Sequence, residues 1–253
     1  MNSKVLADKW NITTELPWNK LRYEITNQFI KAQLNFPIRS ILNIGCGNGI
    51  ESFLFNYPEA ELTFTDISTQ MLNNTKEYAK NFIVSNKLVF IESNIESLDF
   101  PSDKHFDLIL YHNVLEYINS PVKSLLKIMN WLSPDSILSI RHLNKYSNLY
   151  APAIFENDLD LSTEYLNNSQ FNSSFDRKIN TYSGEEIKSM LEQVGLKVLK
   201  RYGVISLCGL IANNEVKSEP VFYQKLKDIE IQMATTFPYF HTARFGLFLC
   251  KKG

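Results

Sequence analysis

The stretch SILNIGCGNGIES, residues 40–52, decides the fold. Its first five residues form a short, mostly apolar run, the pattern of a strand buried on both faces of a sheet. The run stops at three glycines spaced two apart, Gly45, Gly47 and Gly49, and Glu51 follows them. Without a Cβ, glycine takes positive φ at no steric cost and lets a bound molecule lie against the backbone, beside the free N–H groups that open a helix. The stretch therefore reads as a first strand, a ligand-facing turn and the start of a first helix.

Working outward, apolar and amphipathic runs alternate. SILNI (40–44), ELTFTD (61–66), KLVFIES (87–93), FDLILYH (106–112) and ILSIRHL (137–143) read as strands of a sheet covered on both faces. Between them, STQMLNNTKEYAKNF (68–82) opens with Ser68 as a helix N-cap, and PVKSLLKIMNWL (121–132) opens with Pro121, suited to a first helical turn. Two more strands, KVLKRYGVISL and TARFGLFLC, and two more helices, near SGEEIKSMLEQVG and QKLKDIEIQMA, bring the sheet to seven strands. The expected fold is α/β, a Rossmann-like doubly wound sheet with helices on both faces, which binds ligands at the carboxyl ends of its strands. Residues 1–36, with Trp10, Pro17 and Trp18, read as an N-terminal helical cap on a main domain of residues 37–253. Residues 144–180 are rich in Asn and Ser and read as a lid inserted over the strand ends, where closure would exclude water.

Composition narrows the setting. The chain has 253 residues, is 44% hydrophobic and can bury one sizeable core. No apolar run reaches membrane-span length, and MNSKVLADKWN lacks a signal-peptide core, so a soluble cytoplasmic protein is expected. Cys46, Cys208 and Cys250 are too scattered for a disulfide framework or a metal site, and no metal is expected. A formal net charge of −1 gives no global basic field, so a nucleic-acid partner would need a local patch.

The ligand of the turn follows from charge. A dinucleotide fingerprint wants a third glycine at position 50, where this chain has Ile50, and Glu51 sets a carboxylate where a diphosphate would lie. A cationic ligand meets no such repulsion, and S-adenosylmethionine carries a sulfonium and an ammonium group. Asp66, at the end of the second strand, is placed to accept hydrogen bonds from both hydroxyls of a ribose.

At these residues the sequence resembles the class I S-adenosylmethionine-dependent methyltransferases over most of residues 38–143. ILNIGCGNG is similar to their glycine-rich first motif, TFTDISTQML to their ribose-binding motif, and FDLILYHNVLEYINSP to the strand and turn that close the methionine side. One departure is Asn43, which stands where an acid is usual. Among acceptors, the absence of an Asn/Asp-Pro-Pro-aromatic motif argues against exocyclic amines of adenine or cytosine, and Cys46 lies in the turn rather than in a nucleophile loop. An oxygen, nitrogen or carboxylate acceptor remains. A carboxylate is already anionic and needs no general base, only alignment and water exclusion.

KLRYEI, DISTQML, LILYHNVLEY, Asn144 and TARFGLFLCKKG further resemble the bacterial methyltransferases that esterify carboxymethoxyuridine at the wobble position of tRNA. That resemblance implies Arg22 on the methionine carboxylate, backbone of Gly45 and Cys46 on the cofactor within the Gly45, Gly47 and Gly49 turn, and Asp66 with Ile67 at the ribose. It likewise implies Asn94, Ile95 and Glu96 around adenine, His112 at the methionine end and in catalysis, and Arg244 in the last strand as the basic residue facing the acceptor, with tRNA as partner. Arg141, Arg177 and Arg201 are alternatives to Arg244. The lid carries the neutral NNSQFNSSFDRK and Phe245 replaces a tyrosine, both of which favour the alternative of a small-molecule acceptor. Tyr146, Tyr150 and Phe155 are expected to pack the lid onto the core.

Overall fold

The computed structural model describes residues 13–55, 57–82, 87–172 and 178–253. Trp10 and Arg177 therefore lie outside the described residues. In chain order the strands are β1 (Ser40–Ile44), β2 (Glu61–Asp66), β3 (Leu88–Glu92), β4 (Phe106–His112), β5 (Leu132–Leu143), β6 (Gln170–Asn172), β7 (Lys178–Asn180), β8 (Leu196–Val204) and β9 (Phe245–Lys252). Seven of them form one sheet in the order β3-β2-β1-β4-β5-β9-β8, and β6 pairs with β7 apart from it. The segment expected to be a lid without sheet thus holds a small hairpin of its own. β1 to β5 are parallel, whereas β9 runs antiparallel to both β5 and β8. This reversal brings the amino end of β9 to the edge where the parallel strands end.

The α-helices are α1 (Pro17–Lys31), α2 (Ile50–Phe53), α3 (Thr69–Ala79), α4 (Pro121–Met129), α5 (Leu159–Asn167), α6 (Gly184–Gln193), α7 (Asn214–Ser218), α8 (Pro220–Met233) and α9 (Tyr239–Thr242). Local chemistry sets several starts. Pro17 and Pro121 occupy first helical turns, and the Ser68 hydroxyl accepts the Met71 N–H at 3.3 Å. Ser183 and Glu186 satisfy each other's backbone N–H groups in a capping box at the start of α6.

The strand period of two splits the core. Along β4, Leu108 and Leu110 join the cluster with Leu21 and Ile25 of α1 and Leu72 of α3. Ile109 and Tyr111 join the opposite cluster, with Leu125 and Ile128 of α4 and Ile187 and Leu191 of α6. Both faces are therefore covered, as the uninterrupted apolar strands require. β5 begins five residues earlier than its apolar run suggests, with a register shift against β4 between Phe106 and Leu108. That irregularity accommodates Pro134, which has no N–H for the ladder.

Beyond β8 the chain turns through residues 205–213, and the buried Glu230 of α8 organises the turn. Its Oε2 accepts the Ser206 N–H at 2.7 Å and its Oε1 accepts those of Leu207 at 2.8 Å and Cys208 at 2.6 Å. Glu230→Gln replaces one acceptor oxygen with an NH2 group facing a backbone donor. It is expected to lower unfolding free energy by about 1–3 kcal/mol, read as a shift of the urea midpoint at unchanged slope.

Candidate active site

The glycine turn closes on itself through hydrogen bonds. Gly45, Gly47 and Gly49 have φ values of +64°, +58° and +73°, a region open to glycine and strained for residues with side chains. At Gly49 a Cβ would also come within 2.4 Å of the Thr75 methyl, so that position is glycine for packing as well as for φ. The Gly47 N–H donates to Asp66 Oδ2 at 3.0 Å, and the Ser68 N–H donates to Asp66 Oδ1 at 2.9 Å. Burial raises the Asp66 pKa above its ordinary value, while these backbone donors oppose the rise. Each Asp66 oxygen keeps a second lone pair for a further donor, and Ile67 beside it is 57% exposed.

The Cys46 N–H donates to the Thr65 carbonyl at 2.9 Å, and burial pushes the Cys46 thiol far up, so it stays protonated. Asn43 turns into the interior and donates to Ser52 Oγ at 2.9 Å, anchoring α2 rather than facing the turn.

Glu51 does not occupy the place expected of it. Its largely buried carboxylate, with 15% of the side chain exposed, accepts from Arg141 Nη1 and lies 3.0 Å from His112 Nδ1. Burial alone would raise its pKa, yet the Arg141 and His112 charges and hydrogen bonds hold it well below the usual carboxylate range. The charge is thus compensated inside the protein, and the inference that it repels a diphosphate does not hold. His112 Nε2 lies 2.8 Å from Ser139 Oγ, so both ring nitrogens are engaged. Burial lowers the His112 pKa, with Glu51 opposing, which keeps the imidazole neutral at pH 7. Its Nδ1–H then donates to Glu51 and its Nε2 accepts from Ser139, an arrangement with no free nitrogen for proton transfer.

Arg22 on α1 is 3% exposed, and its Nε has no hydrogen-bond partner. The guanidinium lies 4.6 Å from the Tyr23 ring centroid, 5.2 Å from that of Phe245 and 5.7 Å from that of Trp18. Burial lowers its pKa to about 10, so it remains a cation at neutral pH. Arg244 lies just before β9 rather than within it, as residue 245 begins the strand. Asn144 fixes this approach, donating to the His241 carbonyl at 2.7 Å and the Ala243 carbonyl at 2.8 Å, while its own N–H donates to the Arg244 carbonyl at 3.1 Å. The Arg244 guanidinium lies 4.7 Å from the Trp18 ring centroid and has no carboxylate partner among the described residues.

The alternatives to Arg244 are otherwise engaged. Arg141 holds Glu51, donates to Asn113 Oδ1 at 3.0 Å and reaches Thr26 Oγ1 at 3.4 Å; Arg201 donates to Glu185 Oε1 at 2.8 Å. The structural part of Arg141 has no local sequence signal, because its partner lies 90 residues away.

After β3, Asn94 Oδ1 accepts the Ser97 N–H at 2.7 Å, and Lys127 Nζ donates to the Glu96 carbonyl at 2.8 Å. The Ile95 side chain is buried in the core cluster of α4 and α6, so it can offer only backbone to a ligand. Tyr146 and Phe155 are 46% and 47% exposed, not packed onto the core as expected, because the chain around them forms short turns that hold them at the surface.

The sheet order, the glycine turn at the end of β1 and the acid at the end of β2 define a class I Rossmann-like α/β domain with a ligand site at its strand ends. Residues 38–195 match the family model described as a methyltransferase domain, and the chain belongs to that family. The malonyl-[acyl-carrier protein] O-methyltransferase of Halalkalibacterium halodurans is 32% identical over 104 residues, 40% of this chain and 37% of that protein. The tRNA 5-carboxymethoxyuridine methyltransferase of Escherichia coli K12 is 28% identical over 109 residues, 43% of this chain and 42% of that protein. The match thus spans about two-fifths of the length of these two curated relatives. The solved structure of the plantazolicin methyltransferase BpumL in complex with SAH shares the fold, with a TM-score of 0.61 at 18% identity over 99% of this chain and 90% of that one. Among the described residues, no helix is long and apolar enough to cross a membrane.

Proposed function

We propose that this chain transfers the methyl group of S-adenosylmethionine to a carboxylate acceptor. The observation that carries the reading is the pair of guanidiniums, the buried Arg22 and the partly exposed Arg244, both near the Trp18 ring and neither in an ion pair with a carboxylate among the described residues. Two such cations call for two anionic groups. We assign Arg22 to the methionine carboxylate of the cofactor and Arg244 to the acceptor. The orphaned Arg22 Nε and the free lone pairs of Asp66 fit S-adenosylmethionine at its carboxylate and its ribose. The adenine would lie along Ile67 and the backbone of Asn94, Ile95 and Glu96, and the turn from Gly45 through Cys46 and Gly47 to Gly49 would face the methionine side.

S-adenosylmethionine held by these residues would supply an electrophilic sulfonium methyl to the acceptor oxygen. No proton moves when the acceptor is a carboxylate. The protein's task is then alignment and dehydration, and His112 serves as a strut that positions Glu51. The cap, residues 1–36, and the segment 144–180 would close over the strand ends.

The malonyl and carboxymethoxy groups named for the two relatives both end in a carboxylate, which supports this acceptor class. Within it, the finer reading is the carboxylate of carboxymethoxyuridine in tRNA, with the exposed Tyr146 and Phe155 as surfaces on which bases could stack. A small-molecule oxygen, nitrogen or carboxylate acceptor is the alternative, favoured by the lack of a basic run in the lid. A cytoplasmic location accords with three cysteines that are all unpaired.

Transfer of labelled methyl to tRNA bearing carboxymethoxyuridine, set beside free carboxylic acids, tests the acceptor. Arg244→Lys keeps the charge but loses the two-pronged fork. It is expected to lower turnover about 10- to 100-fold while leaving the dissociation constant of S-adenosylmethionine unchanged. Full activity of Arg244→Lys and Arg244→Ala would remove Arg244 from the site.

A further inference from the structure

At one side of the sheet, the edge strand β8 and its neighbour β9 carry five cations, Lys197, Lys200, Arg201, Lys251 and Lys252, and no acid. The register sets Lys197 directly opposite Lys251, and Lys252 opposite Leu196. Like charges directly opposite each other in a sheet repel and weaken the pairing. Lys197, Lys200 and Lys252 are exposed, Lys251 is half-buried, and none of the four forms an ion pair among the described residues. On the same edge strand, Val198 and Arg201 line a cleft of about 390 Å³ with Lys188 of α6, Thr235, Phe240 of α9 and Phe248. The Arg201 guanidinium lies 5.2 Å from the Phe240 ring centroid and 5.5 Å from that of Phe248, and it donates to Glu185 Oε1 at 2.8 Å. Lys188 meets Glu192 only at 3.6 Å, with both side chains more than half exposed, a pair worth little in water. Ion pairs thus engage two of the six cations along this edge. Lysines on an edge strand commonly guard it against pairing with another sheet. That role needs cations on β8 alone, whereas Lys251 and Lys252 stand on β9, an interior strand.

We propose that the β8–β9 edge is a docking surface for RNA phosphates, with Lys197, Lys200, Lys251 and Lys252 as backbone contacts and the cleft at Lys188 and Arg201 leading toward Arg244. The proposal deepens the tRNA reading of the acceptor and rests on it for the identity of the partner. From Lys197 to Arg201 the strand runs about 13 Å, so the charges form a line beside a concave cleft, a shape that suits a flexible polyphosphate chain. The line joins the strand ends: Arg201 Nη2 is 3.4 Å from His241 Nδ1, and the His241 carbonyl accepts from Asn144, which fixes the approach to Arg244. The local patch that a nucleic-acid partner requires at a net charge of −1 is then assembled from three separate segments, not from a basic run in the lid. Phosphate contacts of this kind position a nucleic acid without reading its sequence, so the edge supplies affinity and Arg244 selects the carboxylate.

The test is binding of a tRNA transcript to the full chain saturated with SAH, followed by fluorescence anisotropy from about 50 to 200 mM salt. The logarithm of the association constant should fall with the logarithm of salt concentration at a slope of about −3, the value for four phosphates of a single strand. Lys197→Gln/Lys200→Gln should weaken binding about 10-fold or more at about 0.1 M salt and halve the slope, while Lys80→Gln, at the end of α3, should change neither. Lys251→Glu separates this role from a structural one. It sets an acid directly opposite Lys197, so it should raise the melting temperature while weakening RNA binding about 10-fold or more. SAH affinity should be the same in every variant. The proposal is overturned if the wild type does not bind tRNA at about 50 mM salt, if the lysine variants bind it with unchanged affinity and slope, or if phosphatidylserine vesicles bind more tightly than tRNA. Lysine-dependent binding of tRNA that carries carboxymethoxyuridine, without methyl transfer to it, would overturn the acceptor reading and leave the docking surface standing. Methyl transfer to that tRNA at an unchanged KM in all the lysine variants would do the reverse.

Discussion

Arg141→Met is expected to destabilise the protein by about 3 kcal/mol, because it strands the largely buried Glu51 carboxylate without its main counter-charge. Arg141 is 2% exposed and spans from β5 to α2, where it binds Glu51, and to α1, where it meets Thr26. Methionine fills much of the same volume, so the loss reflects charge rather than a cavity. Urea unfolding followed by far-ultraviolet circular dichroism gives the difference. The double variant Glu51→Leu/Arg141→Met should recover most of the loss, since a buried pair replaced by apolar groups is often neutral or better.

The pH dependence of Arg141→Met has a definite sign. In the wild type the Glu51 pKa is depressed, so its contribution is fully present above the unfolded value near 4.5 and fades as pH falls through the folded one. In Arg141→Met, burial raises the Glu51 pKa instead, and acid relieves the stranded charge. The stability gap between the two proteins should therefore narrow as pH drops from 7 toward 4.

Asp66→Ala is expected to weaken S-adenosylmethionine binding by at least about 100-fold, from two lost charge-assisted hydrogen bonds at roughly 1.5–3 kcal/mol each. The same carboxylate holds the Gly47 and Ser68 N–H groups, so its removal loosens the turn as well as the ribose contact. Asp66→Asn keeps one acceptor oxygen and should fall between the two. Calorimetry with SAH, on variants shown to be folded, provides the measurement. An unchanged affinity in Asp66→Ala would remove Asp66 from the site.

Much of the fold was legible along the chain because its causes are local. Apolar runs of five to seven residues bounded by polar breakers and alternating with amphipathic runs read as strands covered on both faces, Ser68 and Pro121 mark helix starts, and the three glycines after β1 take positive φ. The placing of Asp66 at the end of β2 follows from the same counting. The direction of β9 was not legible, since one apolar strand looks the same in either orientation. Nor were the surroundings of the site residues: nothing near Glu51 in sequence shows that Arg141 neutralises it, and nothing near His112 shows that both its nitrogens are taken.

The sequence by itself therefore determined the order of the seven main-sheet strands, the glycine turn after β1 and the family to which the chain belongs, all written in short-range patterns of burial and backbone freedom. Only the tertiary structure decided which charges are compensated. Glu51 and Arg141 cancel across 90 residues, whereas Arg22 and Arg244, more than 200 residues apart in the chain, both come to the Trp18 ring, and neither forms an ion pair with a carboxylate among the described residues. The physical reason is that electrostatic energy depends on separation and burial in space, and a charge in the sequence carries neither until the chain has folded.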